Sequence, residues 1–428
     1  MRILFCCQFY APSVGGVQEV IRQLSERLVL RGHQVTVATT KLPIRDSDTM
    51  NGVRIKEFAV KGNQVGGMTG EIDEFQSFVV NGDFDVVMIY AAQQWTFDAL
   101  WPVLDKIAYA KVFIPCGFSG FYEQGYAKYF QEMSEVLKKF DHLVFHASKY
   151  RDIDFARKCG IEKISVVPNG ASEIEFEVAF DRSFRARYGI PEQSFIFLTV
   201  GSFTGLKGHQ ELANAFAIMQ VPKNQHATLI LNGNEVQRLE QSAADNFKKI
   251  ASLIKTFGLQ YTLRQIIKKI FRSSAALKSV TDSINKTHAN KSVLVIDLPR
   301  KELTQTYMAA NLFVFASNIE YSPLVLFEAA AAGTPFLTVD VGNAAEIAEW
   351  TGAGIMCSSE VDSKGYTRVD VEVLAQSMAD LMEQKDELSN LGAIGKRNWR
   401  ERFTWGKVAE QYEQLFYQLV QVSLVRKD

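Results

Sequence analysis

Residues 2–40 read RILFCCQFYAPSVGGVQEVIRQLSERLVLRGHQVTVATT, and this stretch decides the fold. A short apolar run comes first, and it is followed by a loop that contains Gly15 and Gly16. Apolar residues then recur at helical spacing until Gly32, after which a second apolar, β-branched run begins. A strand, a helix and a second strand in this order predict a βαβ unit, whose two strands are parallel.

The same pattern of a buried strand followed by a helical segment repeats along the chain. Further strands of the first series are predicted at 85–90, 111–115, 142–145 and 164–167. The polar, acidic stretch that follows Pro168-Asn-Gly and runs to about residue 185 is interpreted as a linker. A second series of strands follows at 195–200, 228–231, 292–296, 312–316 and 335–339. The sequence therefore predicts an α/β protein made of two Rossmann-like domains that face a central cleft.

The composition excludes several classes of protein. A formal net charge of −1 over 428 residues, with no block of acids or bases at either end, argues against a nucleic-acid-binding surface. The five cysteines lack the short paired spacings of zinc sites, and no metal site is expected. No apolar window is long enough to span a bilayer, and the opening run is too short for a signal peptide. We therefore expect a cytoplasmic protein.

A glycine-rich loop with one lysine follows the first strand of the second series. Residues 201–208 read GSFTGLKG and lead into a predicted helix. Backbone N–H groups and the Lys207 ammonium converge there beyond the carboxyl end of a strand, which is a favourable arrangement for a phosphate. Taken alone, the same residues equally describe a strand-to-helix turn with a surface lysine. The Gly15-Gly16 loop resembles it but is weaker evidence.

Two glutamates bracket a predicted helix start in EYSPLVLFE, residues 320–328. The residues expected at the start of this helix are Ser322 as the capping residue, Pro323 in the first turn, and Leu324 and Val325 with free N–H groups. Glu328 falls in the second turn, where it is suited to accept hydrogen bonds from a ribose diol, and Glu320 lies in the loop, within reach of a hexose. The alternative is that both glutamates are solvated side chains near the N-terminus of a helix.

With these motifs the chain resembles the retaining glycosyltransferases of family 4, which have the GT-B fold. The resemblance covers nearly the whole length and includes RGHQVTV at 31–37, SVVPNG at 165–170 and FTW at 403–405. Its most specific element is the E-x7-E pattern of Glu320 and Glu328.

The resemblance implies a retaining hexosyltransferase that uses a UDP- or GDP-linked sugar and needs neither metal nor cofactor. The implied acceptor is a glycan or a lipid-linked molecule, in polysaccharide or glycoconjugate biosynthesis. Glu320 is implied to lie by the transferred sugar and Glu328 to hold the ribose, while Lys207 and the N–H of Gly16 approach the diphosphate. The further donor-site residues that we expect are Gly15, Gly201, Ser202, Gly233, Ser322, Pro323, Leu324 and Val325.

The resemblance also implies that the two domains bind different substrates. Residues 1–175 are expected to form the acceptor domain, to which a C-terminal helix at about 410–428 returns. Residues 176–409 are expected to form the donor domain, with a basic insertion at about 235–290.

Two positions depart from the family pattern. Ser202 stands where an arginine often follows the glycine of the phosphate loop, so one cation is missing. Cys116 stands where many members carry a histidine, and we include it among the candidate catalytic residues. Its presence implies altered acceptor chemistry, another residue in the same role, or a weakened enzyme. The rival hypothesis is accordingly a catalytically weak GT-B protein that binds a nucleotide-sugar or a partner chain as a subunit.

The stretch 248–291 contains ten lysines and arginines against one acid, Asp282. Apolar residues recur within it at helical spacing, which predicts a basic amphipathic helix. Such a helix is suited to peripheral contact with an anionic membrane, at the inner membrane face. An insertion packed on the second domain with a solvated basic face explains the same pattern equally well.

Overall fold

The computed structural model describes residues 1–233 and 275–425. The chain divides into two compact units. The first consists of Met1–Ser172 with Glu401–Asp428, and the second of Glu173–Arg400. Each unit is built around its own parallel sheet.

The first unit contains an eight-stranded sheet. Its strands are β1 (Arg2–Cys6), β2 (Gln34–Thr40), β3 (Thr49–Met50), β4 (Val53–Phe58), β7 (Val86–Tyr90), β8 (Ala110–Ile114), β9 (His142–Phe145) and β10 (Ile164–Val166), and β5 (Val60–Asn63) and β6 (Gly67–Gly70) form a separate hairpin. The spatial order of the sheet is β10-β9-β8-β7-β1-β2-β4-β3, and all its neighbours are parallel except β3 and β4. The α-helices that precede residue 172 are α1 (Gly16–Leu30), α2 (Ile72–Val80), α3 (Trp95–Asp98), α4 (Ala127–Leu137) and α5 (Arg151–Lys158).

The second unit contains a six-stranded parallel sheet in the order β13-β12-β11-β14-β15-β16. Its strands are β11 (Ser194–Val200), β12 (His226–Asn232), β13 (Lys291–Ile296), β14 (Leu312–Phe315), β15 (Phe336–Thr338) and β16 (Gly354–Met356), and β17 (Ser359–Val361) and β18 (Thr367–Val369) form a hairpin beside it. Its helices include α6 (Glu173–Phe176), α7 (Phe184–Arg187), α8 (His209–Ile218), α9 (Arg300–Ala309), α10 (Leu324–Ala332), α11 (Ala344–Thr351), α12 (Val371–Glu383) and α13 (Lys385–Asn398).

The last helix, α14 (Trp405–Val425), belongs to the first unit. The ring of Phe416 packs 6.5 Å, centroid to centroid, from that of Phe5 in the central strand β1. The Glu413 carboxylate pairs with Arg31 at 2.5 Å and with His33 at 2.7 Å. Apolar packing and charge pairing therefore both hold the end of the chain against β1 and the segment that leads into β2.

Most of the segment interpreted as a linker, from Glu173 onward, is part of the second unit, and that interpretation is wrong. Helices α6 and α7 lie within it, and the side chains of Phe176 and Phe184 are fully buried. The acidic residues around them made the segment resemble a solvated connection, whereas two phenylalanines fix it to the core.

Most of the predicted basic insertion, and most of the stretch 248–291, lies outside the described residues. Of the described part, 275–287 is helical. Lys291 is buried, and its ammonium donates to the carbonyls of Phe216 at 3.0 Å and Ala217 at 2.9 Å near the end of α8. This lysine therefore caps a helix instead of contributing to a basic surface. No helix among the described residues is both long enough and apolar enough to cross a membrane.

Candidate functional site

The glycine-rich loop of the second unit is packed closely at both ends. Gly208 precedes α8 in a left-handed conformation (φ +74°), and a Cβ there would lie 2.0 Å from the Ala316 carbonyl oxygen. The N–H of Gly201 donates to the backbone carbonyl of Asn232 at 3.0 Å. A Cβ on Gly233 would lie 2.0 Å from the Gly201 carbonyl oxygen. Glycine is therefore required at 208 and 233, because neighbouring backbone occupies the space of a side chain there.

The structure brings Lys207 and Glu320 together. Strands β11 and β14 are parallel neighbours, so the loops that follow them meet at one edge of the sheet. The Asn318 N–H donates to the Leu206 carbonyl at 2.9 Å, which ties the two loops to each other. The Lys207 ammonium lies 2.5 Å from the Glu320 carboxylate, which also accepts from the Ser317 hydroxyl at 3.0 Å.

Helix α10 starts one residue later than the sequence predicts. Its first residue is Leu324, and Pro323 occupies the N-cap position instead of the first turn. The N–H groups of its first turn, from Leu324 and Val325 onward, have no carbonyl partner within the helix, and this end of α10 adjoins the loop that carries Glu320. Glu328 is the fifth residue of the helix and stands about 6 Å further along its axis.

Glu328 is fixed by a set of contacts that the sequence did not reveal. Its carboxylate accepts from the Tyr307 hydroxyl at 2.9 Å and from the Arg300 guanidinium at 2.6 Å. Arg300 also pairs with Glu175 at 2.6 Å and lies over the ring of Phe176. Burial lowers the pKa of Arg300, but the two carboxylates raise it by more, so the net shift is upward and the guanidinium stays charged. Glu328 is therefore buried and paired, and it is not solvated.

His209 is a second residue that the sequence did not single out. It is buried at the start of α8, its ring lies 4.6 Å from that of Phe203, and neither ring nitrogen has a hydrogen-bond partner among the described residues. Burial, and next the Lys207 ammonium, lower the pKa of this imidazole to about 4. His209 is therefore neutral near pH 7, and Lys207 is the one positive charge in the segment 201–209.

Three candidate residues, Gly15, Gly16 and Cys116, belong to the first unit. Gly15 is the N-cap of α1 in extended conformation, and Gly16 is the first helical residue. A Cβ on Gly16 would meet no atom within 4 Å in the described chain. Packing inside this unit therefore does not explain a glycine there.

Strained backbone is concentrated in two loops of the first unit. Ala91 and Gln93 after β7, and Cys116 and Phe118 after β8, have positive φ values of 50–70°. Residues other than glycine rarely adopt this conformation, and clusters of them are typical of functional sites. These loops follow the carboxyl ends of neighbouring parallel strands, where open α/β sheets bind ligands.

Cys116 lies in a network of buried groups. Its neighbour Tyr90 contacts the His146 Nε2 through its hydroxyl at 2.7 Å, and the His146 Nδ1 contacts the Val167 carbonyl at 2.8 Å. Because a carbonyl only accepts, Nδ1 carries the proton and Nε2 accepts from Tyr90. Burial, and next the Asp152 carboxylate, raise the pKa of the Cys116 thiol to about 12. Cys116 therefore remains a neutral thiol near pH 7, unsuited to act as a base.

Comparison with known families identifies the chain. The family described as glycosyl transferases group 1 matches residues 180–398, just over half of the chain, and glycosyltransferase family 4 matches residues 14–173. The chain belongs to the group 1 glycosyltransferases. The predicted resemblance to family 4 is confirmed, and the protein is an enzyme of the glycosyltransferase class.

Two curated relatives have low identity to this glycosyltransferase. A D-inositol 3-phosphate glycosyltransferase of Thermobispora bispora is 23% identical over 255 residues, which cover 60% of this chain and 50% of the relative. The chain thus spans about half the length of that protein. An N-acetyl-alpha-D-glucosaminyl L-malate synthase of Bacillus anthracis is 22% identical over 434 residues, which cover 96% of this chain and 95% of the relative.

Solved structures share the fold over almost the whole length. A sucrose-phosphate synthase from Thermosynechococcus elongatus has a TM-score of 0.69 at 19% identity and covers 98% of this chain and 99% of its own. The Anabaena protein HepE, solved in complex with UDP-glucose, has a TM-score of 0.66 at 14% identity and covers 98% of this chain and 100% of its own. The predicted GT-B fold is confirmed.

The glycine at 208 is predicted to be indispensable for stability of the second unit. Gly208→Ala is expected to lose about 1–2 kcal/mol for the left-handed conformation and about 1–3 kcal/mol more for the contact with Ala316. Gly189→Ala is the matched control, because Gly189 has a φ of +64° but meets no atom within 4 Å. Urea denaturation of both variants measures the difference. Equal losses would show that the loop has room for a side chain.

Cys116 is predicted to react slowly with alkylating agents. Because only the thiolate attacks, and the pKa of this thiol is raised to about 12, the rate with iodoacetamide is expected to keep rising up to the highest pH at which the protein stays folded. Peptide mass spectrometry after timed alkylation measures this rate separately from that of Cys159. A plateau of the Cys116 rate near pH 9 would contradict the assignment.

Proposed function

We propose that this glycosyltransferase moves a hexose, with retention of anomeric configuration, from a UDP- or GDP-linked sugar to a glycan or lipid-linked acceptor. We place the reaction in polysaccharide or glycoconjugate biosynthesis. The observation that carries the proposal is the pairing of the Lys207 ammonium with the Glu320 carboxylate, 2.5 Å apart, beside the start of the helix that bears Glu328. A cation for the diphosphate and two hydrogen-bond acceptors for the sugars are thereby available in one unit.

Lys207 is proposed to stabilise the leaving diphosphate. Departure of the nucleoside diphosphate leaves negative charge on its phosphate oxygens, so donors that are already in place lower the barrier. Ser202 adds no charge and His209 is neutral, which leaves Lys207 as the cation of the loop. N–H groups at the start of α10 are proposed to supplement it, because a helix N-terminus favours anions.

Glu328 is proposed to hold the ribose. A carboxylate offers about four lone-pair positions, and Tyr307 and Arg300 occupy two of them. The remaining positions suit the two hydroxyls of a ribose diol. Glu320, next to the phosphate-binding cation, is proposed to accept from hydroxyls of the hexose.

The first unit is proposed to bind the acceptor and to supply the N–H of Gly16 to the diphosphate. Cys116 is unsuited to remove a proton, so we propose that the acceptor attacks from the face that the diphosphate leaves, and that a phosphate oxygen takes the acceptor proton. This route needs no protein nucleophile and no metal. Retention follows because attack and departure share one face of the sugar.

A uridine nucleotide is favoured by the ligand of a similar solved structure. HepE was solved with UDP-glucose, and its fold covers nearly the whole of this chain. A UDP-sugar is therefore the first donor to test, and GDP-sugars are the second.

Purified protein is predicted to consume at least one donor from a panel of radiolabelled UDP- and GDP-sugars. Slow hydrolysis of the donor is expected even without acceptor, because water reaches the same position. Turnover is expected to persist in EDTA. Chromatographic separation of free sugar from nucleotide-sugar measures the reaction. Binding without any turnover would contradict catalysis and favour the subunit hypothesis, and absence of binding would exclude both.

Lys207→Ala is predicted to lower turnover by about 10²–10³, the range expected when one donor to the developing charge is lost. Lys223→Ala is the control, because Lys223 is an exposed lysine of the same unit. Steady-state kinetics with the best donor of the panel measure both variants. Turnover of Lys207→Ala within twofold of the unmodified enzyme would remove Lys207 from the mechanism.

A further inference from the structure

One guanidinium in the first unit is held in place but has no counter-ion. Arg151, the first residue of α5, is half-buried between two aromatic rings, with its guanidinium carbon 5.6 Å from the ring centre of Tyr122 and 5.1 Å from that of Tyr150. Its Nε donates to the Gly117 carbonyl at 2.6 Å. In the parts of the chain that the structure describes, no carboxylate lies within ion-pair distance of Arg151.

Arg151 differs in its pairing from many other arginines of the described chain. Arg157 on the same helix is more loosely placed, pairing with Asp154 at 3.5 Å with about half of its side chain exposed. Many other arginines of the described chain also pair with a carboxylate, including Arg22, Arg31, Arg45, Arg187, Arg300, Arg368 and Arg400. An arginine that is fixed but unpaired is suited to bind an anion from outside the chain.

Arg151 is fixed to the strained loop after β8. The carbonyl of Gly117 accepts a hydrogen bond from Arg151, and the N–H of Gly117 donates one to the buried Asp152 carboxylate at 2.8 Å. Two consecutive residues of α5 therefore hold both backbone polar groups of Gly117 in the loop. The loop lies beyond the carboxyl end of β8, so the guanidinium is positioned at the edge of the sheet where ligands bind.

The remaining donors of Arg151 match a planar or tetrahedral anion. A guanidinium has five N–H donors, and Gly117 occupies one. Its two terminal nitrogens form the fork that binds phosphate or carboxylate through two parallel hydrogen bonds. The Tyr122 side chain beside it is 77% exposed, so the approach on that side is open and a ring face is available to a sugar or another apolar group.

We propose that Arg151, with Tyr122 and Tyr150, forms an anion subsite for the acceptor. The acceptor then carries a phosphate or carboxylate group, and Arg151 orients it by that group. This inference rests on the proposed function and narrows the acceptor from any glycan or lipid-linked molecule to an anionic one. Phosphate and carboxylate present the same pair of oxygens to the guanidinium, and the test distinguishes them.

Calorimetric titration of the full chain tests the subsite. The probes are UDP, inorganic phosphate, glycerol 3-phosphate, L-malate and, as the uncharged control, glycerol. The protein is expected to bind at least one of the three anions other than UDP, and not glycerol. Arg151→Gln is expected to weaken that binding roughly 10- to 100-fold, as for loss of hydrogen bonds to a charged group, without changing the affinity for UDP.

Two further variants keep the test decisive. Arg157→Gln removes one positive charge from the same helix and is expected to change anion affinity less than twofold. Arg151→Lys keeps the positive charge but loses the paired N–H donors of the guanidinium. Its affinity for the anion is expected to lie between that of Arg151→Gln and that of the unmodified protein. If circular dichroism shows that Arg151→Gln is unfolded, Arg151→Lys takes its place in the test.

Three results would overturn the subsite. The first is binding of UDP with no binding of any other anion, the second is unchanged anion affinity in both Arg151 variants, and the third is an equal loss in Arg157→Gln. Failure of the unmodified protein to bind UDP, and also to bind GDP titrated in its place, would instead overturn the proposed function. In that case anion binding that depends on Arg151 would still establish the site, without its role toward an acceptor.

Discussion

The contact between Lys207 and Glu320 is the interaction on which the proposed donor site depends. It exists because β11 and β14 are parallel neighbours whose loops leave the sheet at the same edge. The two side chains are 28% and 16% exposed, so the cost of removing both charges from water offsets much of their attraction. The importance of the pair is positional: it holds an ammonium group where the backbone of the glycine-rich loop already turns toward the sheet edge.

The second glutamate of the motif is held by different means. Glu328 is almost fully buried, and a charge in that position is stable only when it is paired and hydrogen-bonded. Arg300 and Tyr307 supply both kinds of contact, and Arg300 forms a second ion pair with Glu175. The two carboxylates therefore differ in environment. Glu320 contacts a partly exposed cation. Glu328 is fixed by two partners inside the unit and keeps lone pairs that are free to accept further hydrogen bonds.

Much of the fold was predictable because parallel strands are buried on both faces and read as apolar runs, as at 86–90 and 312–315. Strand β4 was missed because its residues alternate between buried and exposed, and the β5–β6 hairpin is rich in glycine and polar residues. The ion pair of Arg300 with Glu328 joins two helices, and the two residues lie 28 positions apart in sequence. No local sequence pattern encodes such a pair. The left-handed Cys116 was equally hidden, because this conformation is usually signalled by glycine.

A crystal structure of the full chain with UDP bound tests the central claim most directly. The account predicts that the diphosphate contacts the Lys207 ammonium and that both ribose hydroxyls donate to Glu328, with Arg300 and Tyr307 still in contact with that carboxylate. A nucleotide bound elsewhere, or a diphosphate whose oxygens lie beyond hydrogen-bond distance of Lys207 while the Lys207–Glu320 pair stays closed, would contradict it.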